Sequence, residues 1–269
     1  MRVSPRIRRY DHVLLDLDGC VWVGDEPCAG AVDAVAALRE AGTTVLFLTN
    51  DVRHAPEGLV RKLWRLGFHA SLAEVVTAGA ALQYQLAGRE PGSAFVVGSQ
   101  ALIDHVAAAG LRILNRTPFA TRADVVVVGA HEAFDYAELR TATQAVLRGA
   151  DLIGATRDAT FPMPDGPWPG TGAVLAAVEA ATGRRAALVV GKPEPAMYEA
   201  ARDRLGPGRI LAVGDLLESD VAGARRAGLD SALVLTGGTT REQAEAAEPR
   251  PTFLADSLAT LVEGRTSAG

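Results

Sequence analysis

Short apolar runs alternate with helical patterns along almost the whole chain, and this alternation restricts the fold more than any other feature. VLLD (13–16), VLFLT (45–49), FVV (95–97), DVVVVG (124–129), ADLIG (150–154), ALVVG (187–191), RILAVGD (209–215) and DSALVLTG (230–237) read as strands. They are apolar nearly throughout, as strands buried on both faces are. AVDAVAALREAG (31–42) reads as a helix with Val32, Val35 and Leu38 on one face and Gly42 as its stop. PEGLVRKLWRLG (56–67) reads as a second helix, and further helices are predicted over 99–109, 136–148 and 172–182. Pro-rich loops are expected at 162–170 and 192–195. Strands separated by helices imply an α/β fold, a parallel sheet covered on both faces.

The 269 residues suffice for one large domain or two modest ones, and a hydrophobic content of 48% supplies a sizeable core. A net charge of −5 without any basic run argues against nucleic acid or an anionic membrane as the main partner. No apolar run is long enough to span a bilayer. The basic start MRVSPRIRRY is followed by DHVLLDLDGC, whose three Asp rule it out as the apolar core of a signal peptide. Cys20 and Cys28 form neither a disulfide framework nor a metal spacing. A reduced, cytoplasmic setting is therefore expected. Lysine occurs only at 62 and 192, and asparagine only at 50 and 115. Types this rare are informative where they do occur.

Polar motifs sit at the carboxyl ends of strands, where open parallel sheets bind ligands. Asp16-Leu17-Asp18-Gly19 follows the first strand. Carboxylates two residues apart start on the same side of a strand, and Gly19 permits a sharp turn after them. Such a pair can hold a metal or divide the roles of nucleophile and acid. Thr49-Asn50 ends the second strand and offers a hydroxyl, an amide and backbone N–H groups to phosphate oxygens. Gly191-Lys192-Pro193 places a compact positive charge after ALVVG. Gly214-Asp215-Leu-Leu-Glu-Ser-Asp220 puts further acids at a strand end. Asp220 could cap a helix, hold Lys192, or hold a metal-bound water. Acids at 16–18 and 215–220 suggest one Mg²⁺ site, since this ion takes one or two carboxylates plus waters and substrate phosphate. No such motif occurs between about 80 and 185, and an inserted domain is the simplest account of that gap.

Taken together, DLDG, TN, GKP and GDLLESD resemble the four motifs of the haloacid dehalogenase superfamily of aspartate-nucleophile phosphatases. DVVVVGAHEAFDYAEL, GATRDATFPMPDGPWPGTGAV and VEAATG resemble the large α/β cap of its nitrophenylphosphatase, phosphoglycolate phosphatase and pyridoxal phosphatase branch. The resemblance covers about residues 11–262. It implies a Rossmann-like doubly wound parallel sheet core (1–79 with 186–269) and an inserted α/β cap domain (80–185). It also implies a Mg²⁺-dependent phosphatase acting on small phosphorylated metabolites, with nitrophenyl phosphate as an in vitro substrate. Asp16 would be the nucleophile that forms an aspartyl-phosphate. Asp18 would protonate the leaving alcohol and then activate water. Thr49, Asn50 and Lys192 would bind the transferring phosphoryl group, and Asp158 of the cap would bind substrate. Mg²⁺ would sit on Asp16, the main-chain carbonyl of Asp18 and Asp215, with Asp220 supporting its water shell. The branch also allows a homodimer through the cap.

Two departures bear on substrate choice. Asp51 and Val52 stand where the branch has a second Asn, often followed by Ser; Asp51 reads as an outward polar residue or as one that tunes specificity. The usual Thr-Asn-x-Asp cap loop is Ala155-Thr156-Arg157-Asp158 here. Arg157 reads as a solvated side chain or as one that reaches an anionic leaving group. Cys20 reads as structural, and His54 and His131 as surface residues. A phosphotransferase or mutase on the same scaffold, or a non-catalytic phosphometabolite binder, are the alternatives. A dinucleotide enzyme is disfavoured because no G-x-G-x-x-G follows the first strand.

Overall fold

The computed structural model describes residues 1–163 and 165–268. The chain forms two compact units. Met1–Thr49, Pro56–Val76 and the chain from Lys192 onward make the first; Asn50–Ala55 with Thr77–Gly191 make the second. The expected boundaries lay at 79/80 and 185/186. The segment 50–55, counted with the first part by sequence, packs within the second unit.

The chain begins with α1 (Pro5–Arg8), β1 (His12–Leu15), the hairpin strands β2 (Trp22–Val23) and β3 (Glu26–Pro27), α2 (Ala31–Glu40), β4 (Thr44–Thr49), α3 (Pro56–Arg65) and β5 (Val75–Thr77). Next come α4 (Ala78–Leu86), β6 (Ser93–Val97), α5 (Gln100–Ala108), β7 (Arg112–Ile113), β8 (Val125–Val128), α6 (Tyr136–Leu147), β9 (Asp151–Gly154), β10 (Thr160–Met163), β11 (Gly166–Pro169), α7 (Thr171–Thr182) and β12 (Leu188–Val189). The last part holds α8 (Pro195–Arg204), β13 (Ile210–Gly214), α9 (Ala222–Arg226), β14 (Asp230–Val234), α10 (Arg241–Ala246), β15 (Phe253–Ala255), α11 (Leu258–Val262) and β16 (Ser267–Ala268).

The main sheet runs β16-β15-β14-β13-β1-β4-β5. β1 pairs in parallel with β13 on one side and with β4 on the other. All four β1 residues are buried, His12 together with the apolar run Val13–Leu15. Leaving β1, the chain builds outward through β4, then later returns to β1's other flank through β13. The strand order therefore reverses beside β1, and the crevice beyond its carboxyl end is where such sheets bind ligands. Helix α2 buries Val35 and Leu38, leaves Val32 partly covered, and ends before Gly42 at φ +89.

The second unit has its own five-stranded parallel sheet, β12-β9-β8-β6-β7. Its core includes Phe95, Val126, Val128, Val146, Leu152 and Leu175. The stretch expected as a Pro-rich loop at 162–170 contains instead the antiparallel hairpin β10–β11, with Pro164 outside the described residues. Prolines are tolerated there because a two-stranded ribbon leaves one edge of each strand unpaired. Phe161 and Trp168 face each other across it, ring centroids 6.4 Å apart. The loop predicted at 192–195 ends early because Pro195 starts α8, a position where its missing N–H costs nothing. Strands β5 and β12 and helices α4 and α8 are short or weakly patterned, which is why their extents were not legible. Among the described residues no helix is long and apolar enough to cross a membrane.

Candidate active site

The parallel register sets the site. Leu15 lies beside Val213 on one flank and beside Phe47 on the other. The Asp16 N–H continues the ladder to the Val213 carbonyl at 2.9 Å. Asp16 and Asp215 therefore leave adjacent strand ends together. Carboxylate oxygens of Asp16, Asp215 and Asp220 lie within 4.8 Å of one another. Lys192 Nζ donates to Asp16 Oδ1 and to Asp220 Oδ1, at 2.6 Å each. The lysine is only 4% exposed.

Three acids and one base under cover leave excess negative charge. Burial pushes the Asp16 carboxyl well above its usual range; Lys192 pulls the other way, while Asp220 and Asp215 add to the rise. Asp215 is also raised by burial, against the opposing N–H of Gly238. Burial works against the charge on Lys192, but Asp16 and Asp220 outweigh it and hold the ammonium well above its usual range.

Asp215 tests whether a cation fits. Its Oδ2 accepts from the Gly238 N–H at 2.6 Å, whereas its buried Oδ1 has no hydrogen-bond partner. An acceptor left this way costs about 1–3 kcal/mol. A Cβ on Gly237 would come within 2.0 Å of Asp215 Oδ2, and one on Gly19 within 2.5 Å of the same atom. A Cβ on Gly214 would meet Asp220 Cγ at 2.1 Å. Glycines thus let backbone close around two of the three carboxylates, which offer the hard oxygen donors that suit Mg²⁺.

Asp220 does not cap a regular helix. It lies in a single π-helical turn, Leu217–Val221, that precedes α9. Such turns are rare and concentrate at functional sites. Its Oδ2 accepts from the Leu216 N–H at 3.0 Å while Oδ1 holds Lys192. The side chain of Asp18 stands outside the carboxylate cluster. It is exposed, and its Oδ1 accepts from the Trp22 indole N–H at 2.7 Å. Its expected contribution to the ion is the main-chain carbonyl.

Family models match on both sides of this geometry. One for haloacid dehalogenase-like hydrolases covers residues 13–112, and a HAD-hydrolase-like model covers 189–261. Human chronophin is 38% identical over 95% of this chain and 93% of its own length. D-Glycerol 3-phosphate phosphatase of Mycobacterium tuberculosis is 38% identical over 94% of this chain and 71% of that protein. The chain belongs to the haloacid dehalogenase-like hydrolases. It falls in their phosphatase branch. The crystal structure of the Mycobacterium tuberculosis glycerol phosphate phosphatase with magnesium superposes with TM-score 0.88 at 38% identity, covering 95% of this chain and 77% of that one. The 4-nitrophenylphosphatase of Thermotoga maritima gives TM-score 0.90 at 30% identity, covering 97% and 99%.

Within this family frame, the remaining predicted residues are placed as follows. Thr49 is buried at the end of β4. Asn50, one peptide further on, belongs to the second unit and donates from Nδ2 to Asp158 Oδ2 at 2.9 Å. A Cβ on Gly191 would meet Asn50 Oδ1 at 2.7 Å, which explains glycine there. Asp51 is no outward residue. Its side chain is 13% exposed, Oδ1 accepts from the N–H groups of Arg53 (2.7 Å) and His54 (3.1 Å), and Oδ2 meets His54 Nδ1 at 2.6 Å. Despite burial, which alone would raise it, contact with His54 and these N–H groups holds its carboxyl below the usual range. Arg157 is exposed, as one reading had it, but its guanidinium is engaged within the second unit. It pairs at 3.0 Å with the buried Glu179. Cys20 is fully buried, and burial pushes its thiol well above the usual range, so it is inert. His54 is exposed, whereas His131 is half-buried against Glu138 at 2.8 Å.

Three site residues escaped the sequence reading. Thr236 Oγ1 donates to the Gly19 carbonyl at 2.5 Å, and Gly237 and Gly238 wrap Asp215. The signal was present in TGGTT (236–240), a Thr/Gly cluster directly after a strand. The strand was predicted to run through 237, but it ends at Val234.

Proposed function

We infer that this chain hydrolyses small phosphorylated metabolites through a phosphoryl group carried on Asp16. The observation that supports this most strongly is Lys192 clamped between Asp16 and Asp220 beside the unpartnered oxygen of Asp215. A carboxylate attacking a phosphate monoester faces like-charge repulsion of about 4 kcal/mol per pair of charges at ~4 Å and an effective dielectric of ~20. Lys192 offsets part of this repulsion directly. Mg²⁺, held by Asp16, Asp215 and the Asp18 carbonyl with Asp220 behind its water shell, supplies the further positive charge when bound.

Thr49, Asn50 and Lys192 hold the phosphoryl oxygens. Asp16 attacks phosphorus as the ester bond breaks, and Asp18 gives its proton to the departing oxygen. Asp18 then takes a proton from the water that cleaves the aspartyl-phosphate. Dividing the displacement into two steps makes each easier. The similarity to a glycerol phosphate phosphatase and to chronophin supports small phosphoesters as substrates and water as the acceptor. The second unit is the inserted cap in this reading, with Asp158 contacting the alcohol portion of substrate. A homodimer through that unit belongs to the same reading, and light scattering tests it. Two buried free cysteines suit a reduced, cytoplasmic setting.

Hydrolysis of nitrophenyl phosphate with Mg²⁺ is the direct test. Wild type turns over, chelator stops it, and Asp16→Asn lowers kcat below detection. Wild-type rates in Asp16→Asn would end the assignment.

A further inference from the structure

The chain has only two lysines, and each serves one acid of the DLDG motif. Lys192 holds Asp16 directly. Lys62, on α3, has its Nζ 4.4 Å from the centroid of the Trp22 ring, whose N–H is bonded to Asp18. We propose that Trp22, backed by Lys62, is a positioning residue that dictates which oxygen of Asp18 carries the catalytic proton; this rests on the phosphatase reading above.

The argument begins with the indole. Its N–H can only donate. An oxygen that accepts from it at 2.7 Å cannot direct a proton of its own along the same line. The carbonyl oxygen of a carboxylic acid accepts better than its hydroxyl oxygen, so this bond favours the proton on Oδ2 and keeps Oδ1 as the acceptor. An exposed aspartate would otherwise rotate about a broad, two-fold torsion and present either oxygen.

Trp22 is fixed on every side. It is 1% exposed, its main-chain N–H donates to the Leu17 carbonyl at 3.1 Å, and its main-chain carbonyl accepts from the Gly19 N–H at 2.7 Å. The short β2–β3 hairpin thus returns the indole to the loop that carries both acids. Lys62 is tethered by the Gly24 carbonyl at 2.8 Å. A cation over the ring draws electron density toward itself and strengthens the N–H as a donor.

The proton inventory closes. In the first step Oδ2–H gives its proton to the ester oxygen as that oxygen leaves phosphorus and Asp16 bonds to it. In the second step Oδ2 removes a proton from water as the water oxygen bonds to phosphorus and the Asp16–phosphorus bond breaks. Oδ1 keeps its indole bond throughout.

Leaving-group dependence separates positioning from simple structural support. Alkoxides need the proton and nitrophenolate hardly does, so misplacing it penalises alkyl esters selectively. We would measure kcat/KM for glycerol 3-phosphate and for nitrophenyl phosphate in wild type, Trp22→Phe and Lys62→Met. The expected result is an alkyl-to-aryl ratio lowered at least about 10-fold in Trp22→Phe, a part of the 10²–10⁴ that a general acid contributes. Lys62→Met keeps the aliphatic stem and should lower the ratio about 2- to 5-fold. If Trp22→Phe does not fold, Lys62→Met decides alone. An unchanged ratio in the folded variants, whether or not both rates fall together, overturns the proposal. A wild type inactive on both esters would instead overturn the phosphatase reading.

Discussion

Asp18 and Asp16 are two residues apart, yet their surroundings differ. Asp16 is buried against a lysine and two further acids; Asp18 faces solvent with one oxygen tied to an indole. In the proposed mechanism the carboxylate in the first setting attacks, and the carboxyl group in the second exchanges protons. Asp18→Asn should consequently still release nitrophenolate once, because that group leaves unaided, and then stall for want of a base. Rapid mixing should show a burst close to one equivalent, followed by turnover slower by about 10²–10⁴. Steady turnover at the wild-type rate without a burst would contradict the assigned role. The DLDG spacing identified this pair of acids. The resemblance also implied their division of labour; the surroundings that accompany it were not legible, since Trp22 and Lys192 approach from β2 and from a segment 176 positions away from Asp16.

At the scale of elements, the site is a set of strand ends finished with glycine. Gly214 closes β13, and Gly237 follows β14 where the chain turns back over Asp215. A methyl group at 237 would lie 2.0 Å from Asp215 Oδ2, which is the far end of a short side chain with backbone behind it. Relief requires that carboxylate to move. Gly237→Ala should weaken Mg²⁺ at least about 10-fold, or ~1.4 kcal/mol, with a loss of stability of about 1–3 kcal/mol. Mg²⁺ titrations of activity and of thermal unfolding check this together. The ion should raise the Tm of wild type through binding the folded state and raise that of the variant much less at equal concentration. An unaltered half-saturating Mg²⁺ concentration would show that the cradle is irrelevant. The sequence showed strands because an apolar run is a local pattern. It hid the end of β14 because Leu235 and Thr236 prolong that pattern past the last paired residue.

On the scale of the whole molecule, two units each carry a core of their own, and charge is buried in both for different ends. In the first, unbalanced acids prepare a cation site. In the second, Glu179 is balanced outright by Arg157, Arg185 and the Ala186 N–H. Burial alone would raise the Glu179 carboxyl, but Arg157 and these partners lower it from 4.5 to about 2. A lowered folded-state value gives stability that is present above the unfolded value and disappears as pH falls from about 4.5 toward 2. A change of this size corresponds to roughly 3 kcal/mol, and solvent screening of the exposed Arg185 reduces it to ~2. Glu179→Gln should therefore destabilise the protein by about 2 kcal/mol at neutral pH and match wild type near pH 2. Urea unfolding across this range reads the difference, and a constant gap at every pH would refute it.

Sequence by itself determined the α/β class, the strand ends that bear acids, the lysine and the Thr-Asn pair, and the resemblance that joined them. These depend on periodicity and on motifs within about ten residues, which local chain geometry fixes. Tertiary structure alone decided that Asp51 folds inward onto His54, that Arg157 serves Glu179, and that segment 50–55 packs with the second unit. It alone also brought Trp22 to Asp18 and laid the TGG turn over Asp215. Each of these depends on which distant surface a polar side chain meets as the core closes, and burial assigns that partner only when the whole chain is packed.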